Sequence, residues 1–149
     1  MQELANNRKA YFDYEILEKF EAGMALLGHE VKSIKSGRMG LAGSYVVVRN
    51  GEANLLNSDI PPYQAKNTPK DYNPSRTRKL LLTNKEIRYL EGKQKESHLT
   101  LVPLKAYNKH GLIKLEFALA KGEKLFDKRE TIKKRETERN IKRAMHGEY

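Results

Sequence analysis

The chain has 149 residues, 29 Lys and Arg against 19 Asp and Glu, a formal net charge of +10 and no cysteine. That length allows one compact domain with extensions, the charge calls for an anionic partner, and the missing cysteines exclude a disulfide framework or a thiolate metal site. No run approaches the roughly 18 apolar residues of a spanning helix, and MQELANNRKAYF lacks the apolar segment of a signal peptide, so a cytoplasmic nucleic-acid binder is expected and a membrane partner is not.

The predicted elements follow in chain order. Tyr11–Ile16 (YFDYEI) alternates aromatic or apolar with acidic residues and predicts a short strand. Glu18–Gly28 (EKFEAGMALLG) predicts a short helix, with Phe20, Met24 and Leu27 on one face and Gly28 as its stop. HEVKSIKSG predicts a strand through Val31 and Ile34. Ser44–Leu56 (SYVVVRNGEANLL) is the clearest hairpin, with its tight turn at Asn50-Gly51. Pro61, Pro62, Pro69 and Pro74 mark a long loop from about Ile60 to Ser75. Thr83–Lys93 predicts a helix with Thr83 as N-cap, Glu86 three residues on and Gly92 after its end. His98–Gly122 alternates on both sides of a turn near Asn108–Gly111. The sum is mainly β with two or three flanking helices (α+β). A small antiparallel barrel closes such strands without exposed edges.

The body, residues 1–122, and a tail, residues 123–149, are expected to behave differently. Residues 121–149 hold 10 basic and 6 acidic side chains, a net of +4, which leaves +6 on the other 120. Apolar residues in the tail (Leu125, Phe126, Ile132, Ile141, Ala144, Met145) do not recur at core-facing spacing. Helix support lies on its surface: Glu130 precedes Lys134 by four, Glu138 precedes Lys142 by four, and Asp127 with Glu130 can form a capping box. Such pairs supply only about 0.2–0.5 kcal/mol each. The tail is therefore expected to be disordered alone and to become helical against a partner.

Catalytic signals are weak. GHEVKS has Ser33 where a zinc HExxH needs its second histidine, and His29, His98, His110 and His146 show no ligand spacing. Gly37, Gly40 and Gly43 make GxxGxxG, not the dinucleotide GxGxxG, and no phosphate loop exists. No cofactor, no metal and no enzymatic activity are expected. Nucleic-acid signals are better. NNRK (Asn6–Lys9), SRTRKLLL (Ser75–Leu82, with Arg76, Arg78 and Lys79) and KAYNKHGLIK (Lys105–Lys114, with Tyr107) join cations to extended scaffolding. Each also reads as ordinary surface charge, and Tyr107 as core. With the net charge, they favour an RNA-binding barrel.

Four stretches then carry a specific likeness. Phe20–Gly37 (FEAGMALLGHEVKSIKSG), Ser44–Ile60 (SYVVVRNGEANLLNSDI), Arg76–Ile87 (RTRKLLLTNKEI) and Leu119–Glu136 (LAKGEKLFDKRETIKKRE) resemble, in that order, the bacterial tmRNA-binding small protein B (SmpB) family. The resemblance implies an oligonucleotide-binding (OB)-like barrel with flanking helices and a basic C-terminal tail. It implies a non-enzymatic adaptor, monomeric when free, that binds the tRNA-like domain of tmRNA. Such a protein brings alanyl-tmRNA, with elongation factor Tu and GTP, to stalled ribosomes for trans-translation. Asn7, Glu21 and Leu81 match family positions tied to tmRNA binding, and Arg8, Lys9, Arg76, Arg78, Lys79, Lys105, Lys109 and Lys114 are the cations expected to join them. Glu21 can accept from a base amino group or support NNRK, and Leu81 can be contact or core. By the same resemblance, the tail orders as a helix in the vacant mRNA channel of the small subunit. Phe126 occupies a position that stacks in the decoding centre, Asp127, Lys128 and Arg129 match a family DKR, and Lys133, Lys134, Arg135, Arg139, Lys142 and Arg143 face rRNA phosphates. The alternative is a general RNA-binding ribosomal or translation protein without tmRNA specificity.

Overall fold

The computed structural model describes residues 2–64, 66, 68–96 and 98–122. They form β1 (Gln2–Asn6), α1 (Arg8–Asp13), β2 (Glu15–Met24), α2 (Gly28–Lys35), β3 (Tyr45–Arg49), β4 (Glu52–Leu56), β5 (Arg78–Leu81), α3 (Asn84–Gln94), β6 (Leu99–Lys109) and β7 (Leu112–Lys121). Every strand pairing is antiparallel. The strands run β6–β3–β4–β5–β2–β7, and β7 pairs back onto β6, so six of them close a ring. β1 adds to β6 at Lys105–Asn108, beyond the point where β3 meets it at Leu101. The barrel leaves few free edges, which is the advantage of closure for short strands.

Two turns are set by residues that tolerate left-handed backbone. Asn50 and Gly51 have φ of 53° and 76° between β3 and β4, and His110 and Gly111 have 52° and 82° between β6 and β7. Positive φ at both central positions matches the twist of the flanking strands. The loop after β4 has no regular strand or α-helix among its described residues until β5. α3 is opened by a reciprocal cap: the Glu86 amide donates to Thr83 Oγ1 at 3.2 Å, and the Thr83 amide donates to Glu86 Oε1 at 3.1 Å. The helix runs through Gly92 to Gln94, past the expected stop.

Two expected elements exchange identity. Glu18–Gly28 is not a helix; Glu15–Met24 is β2. Phe20, Ala22 and Met24 pack in the barrel core while Lys19 and Glu21 face solvent, an alternation of period two. Phe20, Met24 and Leu27 also fit a helical stripe, and pairing with β7 from Glu15 to Gly23 decides between them. His29–Gly37 is not a strand; α2 occupies Gly28–Lys35. Val31 and Ile34 are three apart, which suits a helix, and the Leu27 amide donates to Glu30 Oε1 at 2.8 Å as a first-turn cap. Gly28 begins this helix. Tyr11–Ile16 is likewise split, its first half closing α1 and its second opening β2.

β6 is buried on both faces. Leu101 and Ala106 belong to the barrel core, while Val102 and Leu104 pack outward with Ala10, Ala118 and Ala120 beneath α1. Leu101 and Ala106 are five positions apart, an odd step between two inward residues that needs one extra residue. A bulge between Pro103 and Lys105 supplies it. Pro103, which has no N–H for a ladder, sits at that irregularity. Ile34 of α2 and Ile87 and Leu90 of α3 join the barrel core, and Phe117 stacks on Phe20 with centroids 5.6 Å apart. No helix of the described residues is long and apolar enough to cross a membrane.

Candidate nucleic-acid interface

Four strands present a continuous outward face. Their registers place Leu81 (β5), Gly23 (β2), Lys114 (β7) and Tyr107 (β6) in one row, and Glu21, Glu116 and Lys105 in the next. The alternate residues Leu80, Ala22, Leu115 and Ala106 point into the core, so the row faces out. The Leu81 side chain lies across Gly23, where a Cβ would meet Leu81 Cδ1 at 3.4 Å, an ordinary van der Waals contact. Leu81 is 56% and Leu112 62% exposed, an apolar shelf beside the cations.

The charges on this face are interlocked. Tyr107 donates its hydroxyl hydrogen to Glu21 Oε2, and Lys109 Nζ lies 3.4 Å from both Glu21 oxygens. Glu116 is shared by Lys105 at 3.3 Å and Lys19 at 3.8 Å. Four lysines (19, 105, 109, 114) thus surround two carboxylates and leave the face positive. The Tyr107 hydrogen bond is the main cause of a lowered Glu21 pKa; slight burial opposes it, and Lys109 and Lys114 assist. Burial first, and then the bond to Glu21, push the Tyr107 phenol up. At neutral pH the carboxylate is ionised and the phenol is a donor. The Lys109–Glu21 pair is exposed and contributes little to stability, so little holds that lysine against exchange for an anion. Glu21 keeps acceptor capacity for a base amino group.

α1 borders the same face. Lys19 Nζ lies 5.6 Å from the Tyr11 ring centroid, and Arg8 and Lys9 are exposed in the first turn. Asn7 anchors this helix. Its side-chain amide donates to Pro103 O at 2.9 Å and its backbone amide to Leu104 O at 2.7 Å, and the residue is buried. Its contribution here is to hold α1 against the β6 bulge. Lys79 is exposed two residues before Leu81 on the outer side of β5.

Arg76 and Arg78 have a different place. Glu30 is fully buried and takes Arg76 Nη2 at 2.5 Å and Arg78 Nη2 at 2.6 Å. Arg78 Nη1 also donates to Ser58 O at 2.9 Å, and its Nη2 to the Tyr72 hydroxyl at 3.0 Å. Arg78 is 0% exposed, so its expected role as a surface phosphate contact is corrected: its guanidinium neutralises an internal carboxylate. Arg76 remains about one-third exposed while bonded to the same group. Burial raises the Glu30 carboxyl, but hydrogen bonds from Arg76, the Leu27 amide and Arg78 outweigh it and hold the pKa at about 2.

The structure therefore gathers Glu21, Leu81, Lys79, Lys105, Lys109 and Lys114 on one face, sets Arg8 and Lys9 on its border, and withdraws Arg78 and Asn7 inside. Lys19, Gly23 and Glu116 were not singled out from sequence; the period-two alternation of β2 was the signal that would have found them. The tail positions Phe126, Asp127, Lys128, Arg129, Lys133, Lys134, Arg135 and Arg139 lie outside the described residues. Among the described residues, no group of three or more His, Asp or Glu is arranged to hold a metal ion.

A closed antiparallel barrel with three helices and a lysine-lined strand face defines an OB-like fold of the kind that presents strands to nucleic acid. The SmpB protein family model matches residues 4–147, and the chain belongs to that family. The SsrA-binding protein of Carboxydothermus hydrogenoformans is 51% identical over 146 residues, 98% of this chain and 97% of that one. The SsrA-binding protein of Nostoc punctiforme is 51% identical over 142 residues, 95% of this chain and 92% of its own. A chain from a solved structure, described as "tmRNA-SmpB: a journey to the center of the bacterial ribosome", superposes with a TM-score of 0.65 at 46% identity, over 78% of this chain and 81% of that one.

Proposed function

We propose that this protein is the tmRNA-binding adaptor of trans-translation. The observation that carries the reading is family membership along nearly the whole chain, at about half identity to proteins named for binding SsrA. The barrel face of Glu21, Leu81, Lys79, Lys105, Lys109 and Lys114, flanked by Arg8 and Lys9, takes the tRNA-like domain. Lysines supply phosphate contacts, and Leu81 supplies an apolar platform against a ribose or base. Asn7 acts through position, by fixing α1 at the edge of the face. The tail, through Phe126, Asp127, Lys128, Arg129, Lys133, Lys134, Arg135 and Arg139, reads the empty mRNA channel and decoding centre of the small subunit. Elongation factor Tu with GTP is met through the alanyl-tmRNA. The protein works as a monomer in the cytoplasm and catalyses nothing itself.

The test is competition binding with labelled tRNA-like domain and excess bulk tRNA at fixed moderate salt, since phosphate-driven affinity falls steeply with salt. Retention of the label supports a shape-specific face. Displacement by bulk tRNA removes the specificity and leaves a general RNA binder. Deleting residues 125–149 is expected to spare this binding and abolish tagging on stalled ribosomes.

A further inference from the structure

We infer that the RNA surface does not end at the strand face but continues over α2 as a phosphate-binding strip of Lys35, Lys32 and Arg38. The inference rests on the tmRNA reading and extends its binding site. Three observations lead to it. First, the cations on and just after α2 are uncompensated. Lys32, Lys35 and Arg38 are exposed, and none forms an ion pair with a described carboxylate, whereas Lys19, Lys105 and Lys109 of the strand face all do. The one acid of this helix, Glu30, is turned inward and consumed by Arg76 and Arg78. The burial of that glutamate is what leaves the solvent side of α2 purely cationic.

Second, the strip is continuous with the strand face. Val31 of α2 lines a shared groove with Leu81, Leu112 and Lys114. Val31 and Lys35 are four apart and so lie on the same side of the helix. An RNA backbone that crosses Lys114 and the Leu81 shelf meets Lys35 next. Third, the far end of the strip is a second groove edged by cations with donors to spare. His29 and Lys32, three apart, line this groove with Tyr63 and Thr68. The His29 ring packs edge-on against Tyr72, centroids 4.6 Å apart, with its nitrogens buried, so the polar groups open to this groove come from its neighbours. Arg38 donates Nη1 to the carbonyls of Pro62 and Tyr63 at 3.3 and 3.2 Å and sits 5.8 Å from the Tyr63 ring. A guanidinium has five N–H donors, so this tether leaves others for a phosphate. The partner that fits is the sugar-phosphate backbone of the same structured RNA, with one nucleotide near Lys32 and the part-exposed Tyr63.

The experiment titrates labelled tRNA-like domain with full-length protein at a series of salt concentrations. It compares wild type, Lys32→Ala/Lys35→Ala and a control pair in the first turn and at the C-cap of α3, Lys85→Ala/Lys95→Ala, that removes equal charge from exposed positions. The strip variant is expected to bind about tenfold more weakly at moderate salt, with a log–log salt slope shallower by about 2, while the control shifts less than about twofold. An unchanged Tm shows that the fold is intact, as both lysines are exposed. Equal slopes for variant and wild type overturn the strip, as does an equal loss in the control pair. It also falls if only ribosome association drops, because the strip then faces a different RNA. If bulk tRNA displaces the wild-type label yet the strip variant still flattens the slope, the strip stands and the tmRNA reading fails. If the label survives and the slope does not change, the reading stands and the strip fails.

Discussion

Two sites in this barrel are built from the same parts and put to opposite uses. One joins Glu30, Tyr72, Arg76 and Arg78; the other joins Glu21, Tyr107 and Lys109. In each, a tyrosine hydroxyl and cations converge on one carboxylate. In the first, the carboxylate is fully buried and held by two arginines, one of them fully buried; in the second, glutamate and lysine are exposed. The choice of cation fits. Arginine gives a planar fork that satisfies Glu30, Ser58 and Tyr72 together, while lysine is a mobile point charge that can leave Glu21 for a phosphate. Burial turns one constellation into a structural pin between α2, β5 and the long loop; the other leaves its glutamate and lysine open to solvent.

The sharpest way to break the comparison is to remove one cation from each. Arg78→Met is expected to destabilise by about 3–5 kcal/mol, because Glu30 loses its buried partner and Ser58 O loses a donor. That corresponds to a fall in Tm of roughly 10–15 °C for a chain of this size. Lys109→Met should cost less than about 1 kcal/mol. Thermal unfolding of both variants checks this, and similar losses would mean that the buried pin has no special weight.

Acid titration separates the two carboxylates next. The Glu30 pKa lies at about 2, below its unfolded value, so its contribution is complete above the unfolded pKa and disappears as pH falls through the folded one. The wild type should therefore lose urea resistance from about pH 4.5 down to about 2, with up to about 1.4 kcal/mol per pH unit from this one proton. Glu30→Gln should flatten that limb of the curve. Glu21→Gln should leave it nearly as steep, since its carboxylate is exposed. A wild-type curve with no acid limb beyond that of Glu30→Gln would contradict the depressed pKa.

The tyrosines give a smaller contrast. The Tyr72 hydroxyl lies 2.7 Å from Ile60 O and 2.9 Å from Glu30 Oε2, and it accepts from Arg78. Tyr72→Phe strips these bonds from partly buried partners and should cost about 1–2 kcal/mol. Tyr107→Phe should cost about half as much in urea denaturation, because Glu21 turns to water. Burial and the adjacent carboxylate push the Tyr72 phenol up to about 12, so it stays a donor across the neutral range.

What could be read from sequence follows the range of the interactions. The β3–β4 hairpin, the α3 cap and the β6–β7 pair rest on neighbours a few residues apart, and they stand where Asn50-Gly51, Thr83 with Glu86 and the alternation around His110 put them. The exchange of strand and helix between residues 18 and 37 had a non-local cause. Phe20, Ala22 and Met24 satisfy period two, and Phe20, Met24 and Leu27 satisfy a helix, so β7, about a hundred residues away, decides. The same distance hid the fate of Arg78. Glu30 is 48 residues upstream, and SRTRK beside an apolar run looks equally like a phosphate site and a core ion pair. The lysine face was half legible, since Lys105, Lys109 and Lys114 share one hairpin, but Lys19 and Glu116 needed the register of β2 on β7.

The smallest stability effect carries the most functional information. Glu21→Gln keeps the shape and an acceptor oxygen, removes one charge and should change unfolding free energy by less than about 0.5 kcal/mol. Its effect on RNA distinguishes two roles that geometry alone permits. If the carboxylate accepts from a base amino group, the variant should bind the tRNA-like domain about tenfold more weakly with an unchanged salt slope, because no phosphate contact is lost. Lys109→Met should instead make the slope shallower by about 1. If Glu21→Gln binds more tightly, the carboxylate is a repulsive neighbour of the RNA backbone whose contribution is to hold Tyr107 and Lys109 in place. In that case base reading on this face must come from elsewhere, and the exposed Leu81 and Leu112 beside Gly23 become the next surface to alter.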